Sequence, residues 1–125
     1  MHADTETIDA LFHTDPPFRP ALERAEMIDT LQQSIRDLRR QDSNEGRVTY
    51  VTEAKTLMSV MRRASMLDAA TDACYRAIVL NEHRNAIERC RAAGEAVDPH
   101  VADRVDFQLA QLVTDGFPPQ QDFPQ

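Results

Sequence analysis

The chain is 125 residues long, a length suited to one domain, and 21 acids against 14 bases leave it at net charge −7. No stretch approaches the ~18 consecutive apolar residues of a membrane span, and two cysteines cannot make a disulfide framework. The acidic balance argues against direct nucleic-acid binding, which calls for a basic patch to displace phosphate counterions.

Charge is spread unevenly. Residues 1–17 carry Asp4, Glu6, Asp9 and Asp15 with no base, and residues 98–125 carry five aspartates against Arg104. The stretch between them mixes arginine with Glu and Asp, the pattern of solvated, salt-bridged helix faces. Arg36, Arg39 and Arg40, and then Arg62 and Arg63, sit amid such acids. The opening MHADTETIDALFH has neither a basic n-region nor an apolar h-region, so no secretory signal is expected and the chain reads as cytoplasmic. Cys74 and Cys90 read as buried, reduced thiols.

Residues 4–12 predict a short helix capped by Asp4 or Thr5, with Ile8, Leu11 and Phe12 on one side. Asp15-Pro16-Pro17-Phe18-Arg19-Pro20 breaks it, and Pro20 suits the first turn of the next helix. Leu22, Ala25, Ile28, Leu31, Ile35 and Leu38 then recur at helical spacing, to an end near Gln41 and a polar loop at 42–46. From Gly46 to Gly94 the chain runs 47 residues without glycine or proline, rich in strong helix formers. Tyr50, Ala54, Leu57, Met61 and Ala64 form one stripe there, and Val51, Met58 and Ser65 a neighbouring one, a wide arc for a helix with more than one neighbour.

One unbroken helix over that run would span about 70 Å, too long for a domain of this size. Ser65-Met66-Leu67-Asp68 has the form of a capping box and places a break, with Ser65 as N-cap. The third long helix carries Leu67, Ala70, Cys74 and Ile78, then Leu80, Ile87 and Cys90, up to Gly94. Asp98-Pro99 opens the last, with Val101, Val105, Leu109, Leu112 and Val113 on one face and an end at Gly116. FPPQQDFPQ reads as a disordered tail over 117–125. The expectation is an all-α single domain over 1–116, four main helices in a bundle. Broad apolar stripes and the commonness of twofold dimers also predict a homodimer.

Catalytic chemistry finds little support. None of His2, His13, His83 and His100 falls in an H-E-x-x-H or Glu-x-x-His motif. His83 reads as a half-buried histidine tied to a neighbouring carboxylate; its competing role is a metal or acid–base site with Glu82 and Glu88. Asp98, His100 and Asp103 cluster at a helix start, where aspartates complement the macrodipole. The serines lack a nucleophile elbow, the thiols lack an activating partner, and three isolated glycines make no phosphate loop. No enzyme activity, cofactor or metal is expected. Met27, Met58, Met61 and Met66 serve either as core filler or as an adaptable partner-binding stripe.

One pattern points further. Leu11-Phe12, then Ala21-Leu22-Glu23-Arg24-Ala25-Glu26, then Tyr50-Val51-Thr52-Glu53-Ala54-Lys55-Thr56-Leu57-Met58 resembles a family of small pseudomonad helical proteins, the domain family of unknown function 3077. The resemblance covers roughly residues 11–65. Pro16-Pro17 stands where the family has a glycine-bearing turn, and residues 67–125 have no counterpart in its short members. The resemblance implies a non-enzymatic regulator: an anti-activator that binds a LuxR-type quorum-sensing transcription activator and blocks its dimerisation and DNA binding. The alternative is a helical accessory, chaperone or anti-defence protein with another protein partner. The family pattern identifies no binding residues, so Met27, Leu31, Leu38, Met58 and Met61 are partner-binding candidates on stripe position alone.

Overall fold

The computed structural model describes residues 19–119 and 122–124, and every regular element among them is helical. The expected helix at 4–12, with His2 and His13, lies outside the described residues. Four helices follow in order: α1 Arg19–Leu38, α2 Asn44–Arg63, α3 Ala69–Ala92 and α4 Pro99–Thr114. Short connections make sequential helices neighbours. α1 packs on α2, α2 on α3 and α3 on α4, while α1 also reaches α3.

The ends of the helices show why the chain turns where it does. Ser43 caps α2 by accepting from the Gly46 N–H at 3.2 Å, so residues 44–46, expected in the loop, form the first helical turn instead. A Cβ on Gly46 would run into the Gln41 side chain. The run from 47 to 93 does break in two, but Ser65 is not the N-cap of α3. Asp68 holds that place, accepting from the Thr71 N–H at 2.7 Å. Ser65 instead finishes α2 in the left-handed region, at φ 57°. Its N–H reaches the Arg62 carbonyl and the Met66 N–H reaches that of Met61, which is a Schellman closure. Gly94 and Gly116 close α3 and α4 the same way, at φ 85° and 94°.

A non-glycine residue in this conformation is strained by roughly 1–2 kcal/mol, partly offset by glycine's greater unfolded freedom. Ser65→Gly is therefore expected to stabilise the fold by about 1 kcal/mol. Urea denaturation would show a raised midpoint with an unchanged slope; a lowered midpoint would mean that the serine side chain contributes more than the strain costs.

α3 is the centre of the molecule. Tyr75, Ile78 and Val79 join Leu31 and Ile35 of α1 and Ala54, Met58 and Met61 of α2 in one cluster. Ala77, Leu80 and Ile87 turn the other way, onto Val105, Leu109 and Leu112 of α4. A third cluster joins Leu38, Val51 and Ala86. The width of the apolar arc on α2 is thus used within the chain, between α1 and α3. Among the residues expected to form a disordered tail, Phe117 packs on the α3–α4 cluster and Phe123 on the α1–α2–α3 cluster. Apolar side chains at both positions give this short segment a surface to bury.

Arginines tie the connections down. Arg89 of α3 donates to the carbonyls of Leu38 and Gln41 at 2.8 and 2.9 Å, adding a charged donor to the Leu38 carbonyl, which also accepts the Gln41 N–H, where α1 ends. Arg24 and Arg62 donate to the Met66 and Leu67 carbonyls at 2.7 and 3.1 Å. Arg89→Ala removes two charge-assisted bonds from half-buried carbonyls and is expected to cost about 2 kcal/mol, measurable by thermal or urea denaturation.

Candidate functional site

Three polar residues stand in a row at the middle of the central helix. Asn81, Glu82 and His83 are only 6, 4 and 5% exposed. Groups removed from water to that degree need partners, and each of the three finds an arginine. Arg39 reaches Glu82 at 3.2 Å, and Arg84 donates to the Asn81 side-chain carbonyl at 2.7 Å. Arg47 of α2 lies 2.8 Å from His83 Nε2 and also donates to Asn44 Oδ1 at 3.1 Å.

The Arg47–His83 pair differs from the expected one, a half-buried histidine beside a carboxylate. His83 is buried, and its partner is a cation. A guanidinium only donates, so His83 Nε2 accepts and the ring proton sits on Nδ1, which has no partner among the described residues. Burial and then the charges of Arg47 and Lys55 hold the pKa down to about 4 from the ordinary 6.5. The ring is neutral at physiological pH. Its accepting nitrogen is occupied, which leaves it no lone pair to act as a general base.

The competing metal reading needs His83, Glu82 and Glu88 to converge. Glu82 turns to Arg39, Glu88 to Arg91 at 3.0 Å, and His83 to Arg47. Among the described residues no group of three His, Cys, Asp or Glu side chains is placed to hold a metal ion. Asp98 caps α4 by accepting from the His100 N–H at 2.9 Å. Cys90 is buried as expected, but Cys74 is only half-buried, and both are free thiols.

Of the five partner-binding candidates, Leu31, Leu38 and Met61 are completely buried and present nothing to a partner from the folded chain. Met27 is half-buried against the same core. Met58, 6% exposed, lies at the floor of a groove of about 500 Å³ between α2, α3 and α4. Sequence reasoning passed over Phe107, which is 63% exposed on α4. Its signal was present. Phe107 is half a turn away from Val105, Leu109 and Leu112, and a large aromatic opposite the core-facing stripe has no core to enter.

Comparison with family models, curated proteins and solved structures finds no match. The described residues define an all-helical protein whose buried polar row is bound up in arginine contacts. None of their helices is long and apolar enough to cross a membrane.

Proposed function

We propose that this chain is a non-enzymatic cytoplasmic regulator that docks onto a LuxR-type transcription activator and blocks its dimerisation, and with it DNA binding. The observation that supports docking is the outer face of α4. Phe107 stands there 63% exposed, beside a shallow depression of about 280 Å³ that it forms with Ala110, Gln111 and Thr114. An exposed aromatic beside small residues is the kind of anchor on which binding energy concentrates. Around it exposed Asp103, Asp106 and Asp115 outnumber exposed Arg104, which suits a partner whose own surface is basic.

The choice of partner rests on the pattern shared with the pseudomonad helical family. Within it the chain most resembles the quorum-sensing anti-activator QslA, whose target as the resemblance implies is the LuxR-type activator LasR. The regulator itself contacts no DNA in this reading, and it uses no cofactor.

Co-purification with LasR-like ligand-binding domains, followed by multi-angle light scattering, tests the proposal and reports the expected homodimer in the same run. The wild type is expected to form a complex at micromolar concentration. Phe107→Asp is expected to weaken it by about 30-fold, the effect of losing one binding anchor, without lowering the melting temperature, since the side chain is exposed. No complex at micromolar concentration overturns the choice of partner. A complex indifferent to Phe107→Asp overturns the choice of face.

A further inference from the structure

The groove over Met58 has a composition unlike the rest of the chain. Its floor is apolar: Met58, Val79 and Leu80 are all buried side chains. Its walls carry four cations, Lys55, Arg62, Arg63 and Arg76, against the single acid Asp72. This concentration arises in a chain of net charge −7, so overall composition does not explain it. Lys55, Ser59 and Arg62 follow each other at four- and three-residue spacing on one face of α2, and Asp72, Arg76 and Leu80 at four-residue spacing on one face of α3. Helical register aims both sets into the same space.

The single acid leaves most of that charge uncompensated. Asp72 is taken by Arg76 at 2.8 Å, and Arg62 gives one N–H to the Leu67 carbonyl at 3.1 Å. Among the described residues no carboxylate lies within ion-pair distance of Lys55 or Arg63. Partial burial, and then the charge of Arg104 on α4, hold the Lys55 ammonium below its ordinary range. A cation in such surroundings is relieved by an incoming anion.

We infer that this groove binds a small organic anion with a phosphate-like, doubly charged head on an apolar body. Arginine forks match the oxygens of such a head two at a time, and Lys55 adds a point charge. The apolar body lies over the Met58 floor and along the aliphatic stems of the Lys55 and arginine walls. A volume of about 500 Å³ is that of a site for one small molecule. All four cations line this one cavity, whose size suits a single small molecule. The site stands apart from the Phe107 face and does not rest on the partner proposed above.

Calorimetric titration with octyl phosphate below its micelle concentration, with amide chemical shifts to place the ligand, tests the inference. The expected dissociation constant is on the order of 0.1 mM for a ligand of this size, with shifts at Lys55–Arg63 and Asp72–Leu80. Inorganic phosphate is expected to bind about tenfold more weakly, and neutral octyl glucoside not measurably. The double variant Lys55→Gln/Arg63→Gln alters two exposed side chains and should keep its melting temperature while losing at least about tenfold in affinity. Arg40→Gln/Arg91→Gln, at the other end of the helices, should bind as wild type. Equal affinity in the two double variants, no binding at millimolar octyl phosphate, or binding of hexaglutamate in its place would each overturn the inference.

Discussion

Tyr75→Ala is expected to destabilise the fold by about 3–5 kcal/mol, the range for emptying a buried aromatic site. Tyr75 is 1% exposed and faces α1 and α2 from the first half of the central helix. Its hydroxyl accepts from Gln32 Nε2 at 2.8 Å. Its ring lies 6.3 Å from that of Phe123, which in turn lies under the guanidinium groups of Arg36 and Arg39 at 5.3 and 5.2 Å. Truncation therefore opens a cavity, strands a half-buried amide and removes the surface on which the C-terminal segment rests. Domains of this size are stable by roughly 5–15 kcal/mol, so the loss is a large share of the whole. Tyr75→Phe keeps the ring and should cost only about 1 kcal/mol, the worth of one neutral hydrogen bond. Urea denaturation of both variants separates the contributions. Equal losses would place the energy in the hydroxyl rather than in packing.

The helices were legible because their signals are local. Asp98-Pro99, Gly94 and Gly116 mark ends through backbone rules that act within a few residues, and the structure keeps all three. The break near Ser65 was legible for the same reason, but its mechanism was not. Ser-x-x-Asp fits an N-cap equally well one turn later, and only the left-handed φ shows that Ser65 belongs to the helix before. The polar row on α3 was visible as a patch, yet its partners were not. Arg47 is 36 residues from His83, and helical periodicity carries no information about which side chain of another helix lies opposite. Met61 and Leu31 sat on stripes that look alike whether a partner or the chain itself covers them. The groove was hidden for a related reason: Lys55, Arg62 and Arg63 lie on α2 and Arg76 on α3, and only the packing of the two helices brings them around one cavity with Asp72 as its single acid.

Acid is expected to unfold this protein through His83. An unfolded histidine titrates near 6.5, while His83 in the fold is held down to about 4, by burial first and then by Arg47 and Lys55. Above about pH 6.5 both states are neutral and the group contributes no pH dependence. Between about 6.5 and 4 the unfolded chain takes up a proton that the folded chain refuses, so stability falls as pH falls. The slope approaches about 1.4 kcal/mol per pH unit, giving a loss of about 3 kcal/mol by pH 4. Asp68, the α3 cap, has a carboxyl held below its ordinary 3.8 by hydrogen bonds from Thr71; its contribution is lost only at more acid pH and leaves this window clear. His83→Gln keeps an acceptor for Arg47 but cannot take a proton. Stability measured by urea denaturation from pH 7.5 to 4.5 should fall more steeply for wild type than for His83→Gln, the two curves converging as pH drops. Parallel curves, or a His83 ring that titrates near 6.5 by NMR, would mean that the buried guanidinium does not control this histidine.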